Sequence, residues 1–422
     1  MAATTQIDPD KKHSLHALEA TNFFLADVQT GLGPFLAAYL AASGWNPGNV
    51  GAILTLGGIT TVLLQTPAGS VIDHVRRKRL VLAAGTVVLA LGALILAWKT
   101  DTMWVATAQV LIGGTAPFLG PTLAAITLGI VGVKGFDRQF GRNQGFNSAG
   151  NVLTALLVIG ISHFISYRAI FIFAALLVVP TIVSVLRIDR KQIDYDQARG
   201  GLKKETKGSF AAGIRAVLTD RVLLLFLFCA FLFHSANAAM LPQLGEMLAK
   251  GDEKNAAAFM SASIIVTQTV IMCSAAWIGK QANLHGRKPL LLVGFGVLPI
   301  RAVLYTLTHA TAALISIQFL DGVANAIFGV VSILLVADRT SGTGQFNFAQ
   351  GVLATAVGIG AALSTTFGGK LIQHFSYRIS FLGLGSIALL TFLLLLFAIP
   401  ETKTNRSQDG THLTATPEGT HA

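Results

Sequence analysis

Apolar stretches long enough to cross a hydrocarbon core follow one another along almost the whole chain, and few soluble folds tolerate that pattern. A core of about 30 Å takes about 20 helical residues at 1.5 Å each. Six such spans run from Leu18 to Ala42, Pro47 to Asp73, Arg79 to Trp98, Met103 to Val131, Gln139 to Ile165 and Tyr167 to Arg187. Six more run from Arg221 to Leu248, Asn255 to Gln281, Lys288 to His309, Thr311 to Ala337, Gly344 to Leu371 and Ser376 to Ile399. With 53% hydrophobic and 12% charged residues in 422 positions, the bilayer is the expected solvent and the expected class is an all-α membrane protein. Met1 to Lys12 is polar and the first apolar stretch outruns a signal peptide, so the N-terminus is expected to be retained.

The basic residues report orientation. With both termini in the cytoplasm, all 31 Lys and Arg face that side except Lys99, Arg168, Lys250, Lys254, Arg301, Lys370 and Arg378. A net charge of +11 in interspan loops, with no patch of stacking aromatics, argues against nucleic acid. Cys229 and Cys273 fall inside apolar segments and suggest no disulfide. The expected organisation is a cytoplasmic arm (1–17), a six-helix half (18–187), a cytoplasmic linker (188–220), a second half (221–399) and a cytoplasmic tail (400–422). The chain would then be a multi-pass cell-membrane protein, in the inner membrane if its source is Gram-negative.

The halves repeat. At a constant offset of 210, Gly69 matches Gly279, Arg77 matches Arg287, Lys78 matches Lys288, Tyr167 matches Tyr377 and Arg168 matches Arg378. A six-helix unit duplicated in parallel orientation is the construction of major facilitator superfamily (MFS) transporters. The loop Gly69-Ser-Val-Ile-Asp73-His74-Val-Arg76-Arg77-Lys78 resembles that superfamily's signature of glycine, aspartate and a basic run. A second copy, Gly279 to Lys288, carries Asn283 in place of Asp73 and keeps Gly286 where the first has Arg76. The resemblance implies the MFS fold, twelve helices in two pseudo-symmetric halves, and a conformational switch in Gly69, Asp73, Arg77, Lys78, Gly279, Asn283, Gly286, Arg287 and Lys288. Departures occur: Gln109 in Gln109-Val-Leu-Ile-Gly113 replaces an arginine often linked to proton coupling, and span five lacks the Gly-Pro pair of many drug antiporters.

Ionisable groups within spans cost roughly 2.5 to 3.5 kcal/mol on insertion scales, so each is a functional candidate. Asp27 lies roughly 14 Å into span one, Asp321 sits in span ten and His234 in span seven. In the fold that the resemblance implies, spans one, four, seven and ten line a central cavity, which makes Asp27, Gln109, His234, Asn237, Gln318, Asp321 and Asn325 candidates for cavity and proton-coupling roles. Gln318, Asp321 and Asn325 share one helical face, as do His234 and Asn237. A second reading of Asp321 stays open: Arg301 lies at similar depth in span nine, so the two are a candidate ion pair. Asn143, Asn147 and Asn151, spaced by four, form a polar stripe on span five that either glues helices or joins Gln345, Asn347 and Gln350 at the seam between halves. Pro117 and Pro121 are expected to bend or break span four.

No nucleophile with a base, nucleotide loop or metal-ligand spacing stands out, so neither an enzyme nor an ATP-driven pump is expected. No cofactor or metal is expected, and the proton gradient is the expected energy source. The expected function is proton-coupled efflux of a small organic molecule by alternating access, as a monomer in the bilayer. Proton-coupled import of a small metabolite and a receptor on the same scaffold are the alternatives.

Overall fold

The computed structural model describes residues 9–30, 47–201, 210–249 and 253–402, with residues 36, 39, 40 and 43–45 between the first two segments. Among these residues the membrane-crossing elements are all α-helices. Span one is the helix Pro9–Thr30, span two Pro47–His74 and span three Lys78–Trp98. Spans four and five form one run, Thr102–Phe164, that breaks at Gly132, whose φ of 67° is easy only for glycine. Span six is split at Leu177 into Tyr167–Leu176 and Val178–Arg187. The second half follows with Arg221–Asn237 and Met240–Ala249 for span seven, Glu253–His285, Lys288–Leu304, Thr311–Arg339, Phe346–His374 and Tyr377–Ala398. Among the described residues nine helices are long and apolar enough to cross a membrane, and one of them, Thr102–Leu157, holds two crossings. Spans one and nine complete the twelve.

The duplication is visible in bonds as well as in letters. Ser166 accepts a hydrogen bond from the amide of Ala169 at the start of span six, and Ser376 accepts one from Ile379 at the start of span twelve. Such N-caps stabilise a helix by typically about 1 kcal/mol. At the other end Arg79 donates to the carbonyl of Leu186 at 2.6 Å, and Lys288 to that of Leu396 at 2.8 Å. Each basic chain thus neutralises the carboxyl end of the last helix in its own half. Glycine lets spans meet backbone to backbone: a Cβ added to Gly150 would strike the carbonyl of Phe23 in span one, and one added to Gly360 would strike that of Phe231 in span seven.

Two boundaries differ from expectation. Span one begins at Pro9 instead of Leu18, because Ala17 and Leu18 pack into the core of the first half and Ser14 accepts from the amide of Asp189 at 3.1 Å. Span five starts just beyond Gly132, since a single left-handed glycine makes the turn that the sequence suggested would take a loop. The start of the expected linker packs against span four: Ile193 and Ala198 are buried and the amide of Asp194 donates to the carbonyl of Gly129. Span four also runs helically through Pro117 and Pro121.

Gly150→Val should force spans one and five apart and lower stability by about 1 to 3 kcal/mol, the usual range for overpacking. Thermal unfolding in detergent, compared with wild type, measures it.

Candidate functional site

The halves grip each other at the end where the repeated loops lie. Asp73, at the end of span two, is buried and accepts from the backbone amide of Asn347 at 3.1 Å, from its side-chain amide at 2.7 Å and from the amide of Phe348 at 2.8 Å. A carboxylate from the first half therefore caps span eleven of the second, satisfying amides that a helix leaves free and meeting the positive end of its dipole. Gly69 allows the approach, as a Cβ there would strike the Asn347 carbonyl. Lys78 turns inward and donates to the carbonyls of Ile72 and Val75 in its own loop. Arg77 is exposed and begins span three.

The second copy uses the same geometry with the charges exchanged. A Cβ at Gly279 would strike the carbonyl of Asp137, which stands 210 residues before Asn347. The carboxylate sits on the helix start here, and Asn283 is exposed and makes no side-chain hydrogen bond among the described residues. Arg287 holds this side. Its guanidinium lies 2.8 Å from Asp137 of the first half and 2.8 Å from Asp338 of span ten, and donates to the Ala282 carbonyl at 2.6 Å. All three charged side chains are buried. Burial would lower the pKa of Arg287, but Asp338 and Asp137 together outweigh it and hold it above the ordinary arginine value. Gly286 turns with φ 97°, and Glu401 accepts from the amides of Arg287 and Lys288 at 2.8 and 3.0 Å.

Above this grip lies a cavity of about 420 Å³ between the halves. Asn22, Gln65, Gln144, Asn147, Ser332 and Gln350 supply its polar lining, with Phe140, Phe328, Leu353 and Val357 among its apolar walls. No charged side chain lines it among the described residues. Gln65 is eight residues before Asp73, which places the cavity roughly 12 Å deeper along span two. Its walls come from spans one, two, four, five, ten and eleven.

The candidates from sequence distribute differently from the arrangement that the resemblance implies. The side chain of Asp27 lies outside the described residues. Gln109 is buried against span two, its amide 3.5 Å from the Ile53 carbonyl. His234 packs on Phe233 and Phe328, with its Nδ1 3.3 Å from the Ala230 carbonyl. Asp321 pairs with Arg301 inside the second half, and Arg301 also donates to Asn237 and to the sulfur of Met240. Thr267 donates to Asp321, Asn325 to the Asp321 backbone carbonyl and Gln318 to the Tyr305 hydroxyl. The asparagine stripe divides: Asn143 donates to Thr127 and accepts from Gln139, whereas Asn147 lines the cavity and Asn151 donates to Asn147.

Sequence reasoning missed Glu19, a buried carboxylate of span one that accepts from Gln139 at 2.9 Å and pairs with Arg142 at 2.9 Å. It also missed Asp137, Gln65, Gln144 and Glu401. The repeat held a signal for Asp137, since Asn347 stands at the corresponding position of the second half.

The family model "Major Facilitator Superfamily" matches residues 19–298 and 257–417. The chain belongs to this superfamily. It is 38% identical over 388 residues to a Mycobacterium tuberculosis protein described as an uncharacterized MFS-type transporter, covering 92% of this chain and 93% of that one. Over 173 residues it is 27% identical to the class B tetracycline resistance protein of Escherichia coli, covering 40% of this chain and 41% of that one. Among solved structures, the E. coli fucose:proton symporter FucP superposes with a TM-score of 0.72 at 13% identity, over 90% of this chain and 97% of that one. The human organic anion transporter MFSD10 gives 0.70 at 13% identity, over 92% and 100%. This MFS protein is therefore a multi-pass membrane transporter of small molecules and not an enzyme.

Arg287→Met should leave Asp137 and Asp338 buried without their cation and lower stability by about 3 to 5 kcal/mol. Thermal unfolding of the purified variant in detergent reads it directly.

Proposed function

We propose that this chain exports a small, uncharged amphipathic organic molecule in exchange for protons, by alternating access between its two halves. The observation that carries this reading is the cavity between the halves, ringed by amides, walled by aromatic and aliphatic side chains and without a charged lining residue among those described. A fixed charge facing an uncharged solute would have to be desolvated for no gain, whereas amides offer both donors and acceptors at low cost. An apolar wall with a few convergent polar groups is the usual build of a small-molecule site. The partial likeness to a tetracycline resistance protein supports export.

The Asp73 cap and the Arg287 clamp are the bonds that must break when the opposite end closes. Each joins one half to the other, and each is lost if the halves rock apart at this end. The excess of Lys and Arg in the loops here supports a cytoplasmic position for it, with both termini on the same side. Proton carriage falls to the intramembrane carboxylates Asp27 and Asp321. Asp321 protonates at the expense of its pair with Arg301, so proton loading and rearrangement within the second half are the same event.

Thr66 and Thr355 face each other across the seam with their hydroxyls 3.0 Å apart. Thr66→Cys combined with Thr355→Cys should, once oxidised, hold this end shut and reduce flux below about a tenth of wild type, with recovery on reduction; a disulfide-bonded transporter at full speed would refute alternating access.

Asp321→Asn should abolish pH-driven flux in proteoliposomes and also lower stability, because Arg301 loses its anion. Asp321→Asn with Arg301→Met restores thermal stability without restoring gradient-driven flux. Recovery of both would make the pair purely structural and remove Asp321 as proton carrier. The same vesicles, loaded with a panel of neutral and charged solutes and given a pH gradient of either sign, decide substrate class and direction.

A further inference from the structure

A second concavity, about 490 Å³, lies over the line where span five of the first half meets span eight of the second. Its two ends differ in chemistry. Arg138 and Arg142 of span five and Lys280 of span eight stand at one end, while Phe146, Ala149 and Met272 continue it toward the membrane interior. From Arg138 to Ala149 the groove climbs roughly 16 Å along the helix, from the basic end into the hydrocarbon depth. Glu19 offsets Arg142, but Arg138 and Lys280 are exposed and have no ion-pair partner among the described residues. Two uncompensated cations at the mouth of an apolar, laterally open slot match an anion that carries a hydrocarbon chain. In a membrane protein that occupant is already the solvent.

We propose that this groove binds one anionic phospholipid, its phosphate held by Arg138 and Lys280 with Arg142 beside them, and its acyl chain lying along Phe146, Ala149 and Met272. The two principal cations belong to different halves, so a single headgroup bridges the seam beside the close approach of Gly141 to the Ala275 carbonyl. The lipid therefore adds an external fastening to the internal one made by Arg287. Basic residues near an anionic membrane surface each contribute roughly fivefold in binding.

Native mass spectrometry of the full-length protein, released from nanodiscs holding equal phosphatidylglycerol and phosphatidylcholine, tests this. Wild type should carry one phosphatidylglycerol in preference to phosphatidylcholine. Arg138→Gln with Lys280→Gln should reduce that preference about thirtyfold, the product of the two single effects. Arg138→Lys with Lys280→Arg, which keeps the charges, should retain it. An unchanged preference in the glutamine variant overturns the proposal, and so does its loss in the charge-conserving one. Displacement of the lipid by millimolar glycerol 3-phosphate would show a soluble phosphate site instead. Lipid-free dimer peaks that vanish in the glutamine variant would assign the groove to a second copy of the chain.

Discussion

A carboxylate seated on the first amides of a helix in the opposite half is the interaction on which the closed end of this transporter depends. Buried Asp73 meets two backbone amides and one side-chain amide of span eleven, and the helix dipole there favours its charge. The arrangement requires backbones to touch, and Gly69 and Gly279 supply that closeness on the two sides of the pseudo-symmetry axis. A cap is one carboxylate's worth of hydrogen bonds, and here it joins one half to the other.

The two copies of this contact between the halves are similar in shape and opposite in charge placement. One keeps its carboxylate on the loop and an asparagine on the helix start; the other keeps asparagine on the loop and a carboxylate on the helix start. Arg287 then completes the second copy, tying Asp137 of one half and Asp338 of the other to one guanidinium. Had both copies carried aspartate in the loop and at the helix start, like charges would face each other in a buried site. The exchange lets a duplicated fold keep two such contacts without that repulsion.

Much of this was legible before any coordinates. Hydropathy marks the spans, and the offset of 210 identifies the glycine pair at the seam; it pairs Lys288 with Lys78, whereas the residue that neutralises the last helix of the first half is the next one along, Arg79. Counting residues puts Arg301 and Asp321 at similar depth, and they meet. Depth along a helix, however, says nothing of rotation about it. Asp321 and Gln318 turn into the second half, toward Arg301 and Tyr305, while Phe328 and Ser332 of the same helix reach the cavity. Glu19 escaped notice at the very start of the expected span one, a place where a charge commonly meets water; the helix instead begins at Pro9 and buries it against Gln139 and Arg142. Gln65 and Gln144 are polar residues in long apolar runs, and only the assembled halves show that they face one space.

Among the described residues the central cavity has an uncharged lining, and under the proton exchange proposed above that has an electrical consequence. A transporter that moves a neutral solute against one proton displaces one net charge per cycle, so the membrane voltage drives it as well as the pH difference. Each 100 mV then adds about 2.3 kcal/mol to the driving force, comparable to a gradient of between one and two pH units. A solute bearing its own positive charge would cancel that contribution, leaving the carrier blind to voltage. Under that proposal the amides around the cavity bear on the transporter's electrical character as well as on its cargo.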